Sequence, residues 1–267
     1  MWDPASYLRY GDERSRPFLD LVARVGAEAP GAVVDLGCGP GNLTATLALR
    51  WPAARITGLD SSAEMIASAQ AQDDTVPGAS SVGFAVADVR TWSPEPEVDV
   101  VISNAVLQWV PGHEALLERW VAELGAGAWL AVQVPGNFDA ASHRALRAVA
   151  ADPRWRDPVT PLLRAAPVLD AAGYAELLTR LGCEVDAWET TYMHLLPVRD
   201  ADHPVLAWME GTALRPVRTA LRGSGEAWAR FRAALAERLA EAYPVRDGLV
   251  FFPFRRIFFV ARTGTRR

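Results

Sequence analysis

The chain has 267 residues, half of them hydrophobic, and a formal net charge of −5. This length and apolar content suit a chain with a sizeable core, and 10 Trp argue against intrinsic disorder. All 27 basic residues are Arg, which excludes Schiff-base and P-loop lysine chemistry, and the mild acidity argues against a broad nucleic-acid surface.

The cysteine count and the hydropathy pattern predict a cellular location. Cys38 and Cys183 are far apart and form neither a disulfide framework nor a zinc cluster. The first residues lack a basic-then-apolar signal pattern, and no apolar run is long enough to span a membrane. We therefore expect a cytoplasmic protein without a membrane or nucleic-acid partner.

Strands and helices alternate through the first half of the chain. Short apolar runs predict strands, and longer runs with one apolar face predict helices. In chain order we expect a helix from about residue 14, a strand at 33–36, a helix at 43–49, a strand at 55–60, a helix at 61–72, strands at 82–87 and 98–103, a helix at 114–124 and a strand at 129–134. This alternation predicts an α/β fold with a mostly parallel, Rossmann-like sheet and helices on both faces.

The second half is less regular. We expect helix and loop at 137–166, a helix at 168–181, a strand at about 184–194, helices near 204–214 and 228–242, and a last strand at 249–262. The segments at about 137–166 and 197–246 are interpreted as helical inserts that cap the carboxyl end of the sheet. The whole chain, residues 1–267, is then one domain with a helical cap.

A glycine-rich turn follows the first predicted strand. Gly37, Gly39 and Gly41 stand where ligands bind in open α/β sheets, and glycines allow a tight turn against which a ligand can lie. Their spacing is G-x-G-x-G, and not the G-x-G-x-x-G of nicotinamide and flavin folds. Asp35 adds a carboxylate that suits a ligand with an ammonium group. A turn with close packing would also explain the glycines.

Two further carboxylates end the second and third predicted strands. Asp60 can accept from both hydroxyls of a ribose, although it could instead cap the next helix. Asp88 can accept from an exocyclic amine, beside the backbone N–H of Val89. Each is weak evidence alone, but together with the glycine turn they indicate a nucleoside-like ligand.

These motifs, followed by Ser103 to Trp109 (SNAVLQW), resemble the class I S-adenosylmethionine-dependent methyltransferases over the first half of the chain. The resemblance implies that S-adenosylmethionine is the cofactor, with its methionine part on the glycine loop. It also implies that Asp60 holds the ribose and Asp88 with Val89 the adenine, that Met65 packs on the adenine, and that Asn104 lies beside the sulfonium. The expected cofactor residues are Asp35, Gly37, Gly39, Gly41, Asp60, Ser61, Met65, Asp88, Val89 and Asn104.

Further segments are similar to members of this family that methylate a carboxylate of trans-aconitate or a related small polycarboxylic acid. They include residues 51–58 (WPAARITG), 190–194 (TTYMH), 211–216 (GTALRP) and 256–262, so this resemblance runs nearly end to end. It implies a carboxyl O-methyltransferase that forms a monomethyl ester and S-adenosylhomocysteine. Because a carboxylate is already ionised at neutral pH, no acid–base residue is expected. No metal site is expected either.

A polycarboxylate substrate needs cations, and Arg binds carboxylates bidentately. Most of the 27 Arg are expected to be solvated surface charges. The resemblance selects three of them as candidate contacts, namely Arg16, Arg215 and Arg256. Tyr192 and His194 share one face of a predicted strand, with a buried structural His as the alternative. The candidate substrate residues are Arg16, Trp109, Tyr192, His194, Arg215 and Arg256, and Trp109 could equally be a core aromatic.

Three other functions stay open at this point. The same cofactor could serve a methyltransferase for another small-molecule oxygen or carbon acceptor. A nicotinamide oxidoreductase is disfavoured by the glycine spacing and by Asp35. A non-catalytic binding module is disfavoured by the complete set of carboxylates.

Overall fold

The structure is a computed structural model that describes residues 11–71, 82–163, 167–199, 202–223 and 225–264, with side chains from Ser15 onward. The strands are β1 Ala32–Leu36, β2 Arg55–Asp60, β3 Val82–Val86, β4 Val100–Asn104, β5 Trp129–Pro135, β6 Glu184–Pro197 and β7 Leu249–Arg262. The helices are α1 Gly11–Ala23, α2 Thr44–Arg50, α3 Ala63–Gln70, α4 His113–Glu123, α5 Ala141–Ala150, α6 Arg156–Val159, α7 Ala171–Arg180, α8 Pro204–Glu210, α9 Leu214–Ala220 and α10 Gly225–Ala242. Short 3₁₀ turns cover Leu107–Trp109 and Thr160–Leu162.

The described strands form one seven-stranded sheet in the order β3-β2-β1-β4-β5-β7-β6. The first five strands pair in parallel, and β7 runs antiparallel to β5. The strand order reverses between β1 and β4, which places a topological switch point at the carboxyl end of β1. The predicted α/β class and the mostly parallel sheet are confirmed.

Two packed faces explain why the central strands are continuous apolar runs. On one face, Leu117 and Trp120 of α4 and Leu178 of α7 pack against alternate residues of β1, β5 and β7. On the other face, α1 packs against β5, with Phe18 and Leu21 buried. A strand covered on both sides is buried at every position, as all five residues of β1 are, and four of these five are apolar.

The described residues divide into two compact units. The first contains the chain up to residue 135, with 168–189 and 256–264. The second contains 136–163 and residue 167, with 190–199, 202–223 and 225–255, and here α5 packs against α10. The predicted inserts thus belong to one compact unit, while their role as a cap within a single domain stays a prediction.

Two predicted helices have different bounds in the structure. The segment at 204–214 was predicted to be one helix, but α8 ends at Glu210, and α9 begins at Leu214, so Arg215 lies in the second of two short helices. The helix predicted at 61–72 begins at Ala63, because the Ser62 hydroxyl caps it by accepting from the Met65 N–H at 3.3 Å. None of the described helices is both long enough and apolar enough to cross a bilayer.

Candidate active site

A cavity of about 310 Å³ lies at the carboxyl ends of β1, β2 and β4 and beside the loop after β3. All its lining residues belong to the first compact unit. Eight of the ten residues expected to bind the cofactor line it, namely Gly37, Gly39, Asp60, Ser61, Met65, Asp88, Val89 and Asn104. The switch point of the sheet thus brings residues from four separate stretches of chain to one concave surface.

Hydrogen bonds between backbones hold the glycine loop in place. The N–H groups of Gly37 and Cys38 both donate to the Leu59 carbonyl, at 2.7 and 3.0 Å. Gly37 has φ +78°, and a Cβ there would lie 2.1 Å from Cγ2 of Val106. Gly39 has φ +58°, but a Cβ there would have no described atom within 4 Å. Gly37 is therefore required by packing, whereas Gly39 leaves open space in the cavity for a ligand.

Asp60 joins the end of β2 to the glycine loop. Its Oδ2 accepts from the Gly39 N–H at 3.0 Å, and its Oδ1 accepts from the Ser62 N–H at 2.9 Å. These two bonds fix the orientation of the carboxylate, and each oxygen still has acceptor capacity for a ligand hydroxyl. The alternative role as the cap of α3 belongs to Ser62 instead.

Asp88 is held by an arginine two residues further along the chain. The Arg90 guanidinium donates to both carboxylate oxygens, with Nε at 3.0 Å from each, and the Arg90 N–H donates to Oδ1 at 2.9 Å. These hydrogen bonds lower the pKa of Asp88 below its usual range, so the group is a carboxylate at neutral pH. A ligand amine at Asp88 would share this carboxylate with Arg90.

Asp35 does not lie where the sequence predicted. It is 3% exposed and is absent from the cavity lining, and its Oδ2 accepts from the Thr44 hydroxyl at 2.6 Å. Burial raises the pKa of Asp35 to about 7, while the Thr44 bond lowers it and the nearby Asp60 charge raises it. Asp35 therefore ties β1 to the start of α2 from beneath the loop, because its strand position points into the core.

Gly41 is likewise outside the cavity lining. A Cβ at this position would lie 2.7 Å from the Ala69 Cβ and 2.8 Å from the Phe84 ring. The third glycine thus allows the loop to pack closely against α3 and β3, which is the structural explanation that the sequence left open.

The segment after β4 forms a further wall of the cavity. Ala105, Val106, Trp109 and Val110 line it, and the Trp109 side chain is 40% exposed. The amide of Gln108 donates to the Ala105 carbonyl at 2.6 Å and closes this turn. Trp109 is therefore a wall residue and not a core aromatic.

The other candidate substrate residues lie in different places. Arg256 belongs to the first unit, is 5% exposed, and donates from Nη1 to Oε1 of Gln133 at 3.1 Å. Arg16 is exposed on α1, with its Nε 4.0 Å from Oδ2 of Asp20. Tyr192, His194 and Arg215 belong to the second unit.

The environment of His194 matches the buried alternative that the sequence left open. Its ring stacks on Trp208, with centroids 4.9 Å apart, and lies near Phe252 and Phe254. Tyr192 and His194 are 4% and 5% exposed. Their proposed contact with a substrate stays a prediction.

Sequence reasoning missed several residues at this site. Arg90 and Trp92 line the cavity, and their position just after the Asp88 motif was a signal that could have identified them. Gln133, which lies outside the cavity lining, comes next to Arg256 only through the pairing of β5 with β7, which no local pattern indicates.

Comparison with known proteins agrees with this geometry. Residues 33–127 match a family described as a methyltransferase domain. The chain is 57% identical over 271 aligned residues to trans-aconitate 2-methyltransferase of Mycobacterium sp. (strain KMS), which covers 99% of this chain and 100% of the relative. It is 50% identical over 274 aligned residues to the protein of that name from Mycobacterium tuberculosis (strain ATCC 25177 / H37Ra), which covers 100% and 98%.

A solved structure shows the same fold. It is a methyltransferase from Thiobacillus denitrificans in complex with S-adenosyl-L-homocysteine, with a TM-score of 0.55 and 19% identity, covering 93% of this chain and 91% of that one. At this identity the likeness concerns the fold alone.

Proposed function

The chain belongs to the trans-aconitate 2-methyltransferase family, and on that premise we propose that it transfers a methyl group from S-adenosylmethionine to a carboxylate of trans-aconitate. The products are the monomethyl ester and S-adenosylhomocysteine. The observation that carries the proposal is the cavity in which bare glycine backbone and two fixed carboxylates, Asp60 and Asp88, face one space. The full-length identity to the relatives supports the acceptor.

The residues that line the cavity are complementary to the ribose hydroxyls and the adenine of S-adenosylmethionine. The space above Gly39 would be filled by any side chain, so it admits a ligand against the backbone. Asp60 is positioned to accept from ribose hydroxyls, and Asp88 with the Val89 N–H to recognise an adenine edge. Met65 supplies an apolar surface for the ring, and Asn104 lies at the end of β4.

S-adenosylmethionine supplies a methyl group on a positively charged sulfur. An acceptor carboxylate oxygen attacks the methyl carbon, and the carbon–oxygen bond forms as the carbon–sulfur bond breaks and its electron pair returns to sulfur. No proton moves, because the acceptor is ionised at neutral pH. The protein therefore acts by positioning the two partners and by excluding water, without a general base.

Recognition of the acceptor falls to cations and to the cavity wall. Arg256 is buried in the first unit, and a buried guanidinium binds a carboxylate more strongly than an exposed one. Trp109 is placed to limit the space beside Asn104. We retain Arg16, Tyr192, His194 and Arg215 as candidate contacts, and the cytoplasm as the proposed location, where the free, buried Cys38 and Cys183 would stay reduced.

The decisive experiment is mass spectrometry of the products formed from S-adenosylmethionine and a panel of small di- and tricarboxylic acids. We expect trans-aconitate to gain one methyl group as an ester, with little product from monocarboxylic acids. Asp60→Asn serves as the negative control, because it keeps the size of the side chain but removes the charge at the cofactor site. It should lose most of the activity. If S-adenosylhomocysteine binds but the parent protein methylates no carboxylic acid, the proposed acceptor class is wrong.

A further inference from the structure

A row of polar side chains crosses three neighbouring strands next to the cavity. Asn104 on β4 is in register with Gln133 on β5, and Gln133 lies opposite Phe258 on β7. Arg256 is two residues from Phe258 along β7, so it is the diagonal neighbour of Gln133 and points to the same face. Asn104, Gln133 and Arg256 therefore form one row, with Asn104 at the cavity end.

The row is buried, which is unusual for such polar groups. Gln133 is 0% exposed and Arg256 is 5% exposed. Phe258 beside them is also 0% exposed, and its ring stacks on Trp188 with centroids 4.9 Å apart. Polar interactions in these apolar surroundings are stronger than in water.

The arginine determines which way the Gln133 amide faces. Arg256 donates to Oε1 of Gln133 at 3.1 Å, and a guanidinium has no acceptor. Gln133 must therefore present its oxygen to Arg256 and its amino group elsewhere. That Nε2 atom is buried and has no hydrogen-bond partner within the described part of the chain.

A second polar atom of the row is also buried without a hydrogen-bond partner. Oδ1 of Asn104 is buried, and it too lacks a partner among the described residues. Asn104 lines the cavity, and Gln133 is its neighbour on the next strand. Native proteins rarely leave buried polar atoms without partners, and such atoms in or beside a cavity indicate a ligand that completes their bonds. From the cavity outward, the row presents an acceptor, a donor and a cation.

We propose that Gln133 and Arg256 form a subsite for one carboxylate of the acceptor, with Gln133 as a specificity-determining residue. This inference rests on the proposed function and deepens it. The Nε2 donor and the guanidinium are complementary to a carboxylate. Asn104 lies one strand spacing away, about 4.8 Å, and lines the cavity.

The variant that tests the proposal is Gln133→Glu. A glutamate keeps the oxygen that accepts from Arg256, so the fold should be retained, but it replaces the Nε2 donor with a repelling negative charge. We expect the KM for trans-aconitate to rise at least about tenfold. Calorimetry should show the same loss of trans-aconitate affinity for protein saturated with S-adenosylhomocysteine, while S-adenosylhomocysteine affinity and Tm stay near parent values.

The control variant is Gln70→Glu, the same chemical change on an exposed side chain of α3. It should leave the KM unchanged. A second readout uses three dicarboxylates in which each carboxylate of trans-aconitate is replaced in turn by a methyl group. For the analogue that lacks the carboxylate held by Gln133, the ratio of variant KM to parent KM should fall to about one.

Two results would overturn the proposal. One is an unchanged KM in Gln133→Glu while the parent still methylates trans-aconitate. The other is an equal loss of cofactor affinity and Tm, which would make Gln133 a structural residue. A parent protein that methylates no carboxylic acid is a different result, since it would overturn the proposed function itself.

Discussion

At the scale of single residues, two glycines of the same loop have different tasks. Gly37 has a positive φ, and Val106 fills the space that a side chain would need. Gly39 has a positive φ with open space above it, on the cavity side. The sequence motif does not separate these tasks, because both residues are simply glycines at the expected spacing.

Gly39→Val should abolish S-adenosylhomocysteine binding without unfolding the protein, because the new side chain occupies the ligand's space. Gly182→Val is the matched control, since Gly182 also has positive φ, at +82°, and no described atom within 4 Å of its Cβ position. Both variants should lose a similar amount of stability from backbone strain, about 1–2 kcal/mol, but only Gly39→Val should lose affinity in calorimetry. Normal binding by Gly39→Val would mean that the ligand does not lie against this loop.

The buried Asp35 should make stability depend on pH. Its folded-state pKa of about 7 lies above the ordinary value of 3.8, so its contribution to stability is complete below 3.8 and is lost as pH rises to about 7. Asp35→Asn can still accept from the Thr44 hydroxyl but cannot ionise. Relative to the parent, the free energy of unfolding of the variant should rise between pH 5 and 7.5, by an amount on the order of a few kcal/mol. Its Tm should rise over the same pH range. A Tm difference that is constant with pH would contradict this assignment.

At the scale of secondary structure, a buried hydrogen-bond chain joins α7 to the wall of the cavity. Nε2 of His113 lies 2.7 Å from the Tyr174 hydroxyl, and its Nδ1 lies 3.3 Å from the Val110 carbonyl. The Val110 carbonyl can only accept, so Nδ1 carries the ring proton and Nε2 accepts from the Tyr174 hydroxyl. Nδ1–H then donates to Val110, and burial lowers the pKa of His113, which keeps this neutral form.

Tyr174→Phe should lower both stability and cofactor affinity. It leaves the buried Nε2 of His113 without its donor, at a cost of about 1–3 kcal/mol, and it loosens the Val110 wall. The matched control is Tyr243→Phe in the second unit, where the hydroxyl accepts from the Ser142 N–H at 3.0 Å. Thermal denaturation should show a loss in both variants, whereas calorimetry should show weaker S-adenosylhomocysteine binding only in Tyr174→Phe. Equal affinities would mean that the wall does not depend on this bond.

At the scale of the whole molecule, the described chain forms two compact units that each contain a buried core. All lining residues of the cavity belong to the first unit. The second unit has its own cluster of Trp208, Tyr243, Phe252 and Phe254. Ligand binding at the cavity is therefore expected to act directly on the first unit.

S-adenosylhomocysteine should stabilise the protein by mass action on the native state. At about 100 times its Kd, the free energy of unfolding should rise by about 2.7 kcal/mol. Hydrogen exchange should slow most around residues 36–39, 59–65, 87–92 and 104–111, which contribute the cavity lining. NADH serves as the control ligand and should shift neither Tm nor exchange. Protection confined to the second unit would place the ligand elsewhere.

Local sequence determined the alternation of strands and helices, the glycine loop and the carboxylates after β2 and β3. These features depend on neighbours within a few residues, as in the apolar run of β1 followed directly by Gly37. For the same reason the buried positions of Phe18 and Trp120 follow from helical spacing. Local signals were weaker near residues 204–220, where two short helices replace the single one that was predicted.

Only the tertiary structure decided which distant residues meet. Arg256 and Gln133 are 123 residues apart and are joined by strand register, which no local pattern encodes. The sequence also could not reveal that Asp35 points into the core and bonds Thr44, because a two-sided strand does not show which face a residue occupies. A polar residue in such a strand can face a ligand or a buried hydroxyl, and its packed neighbours determine which.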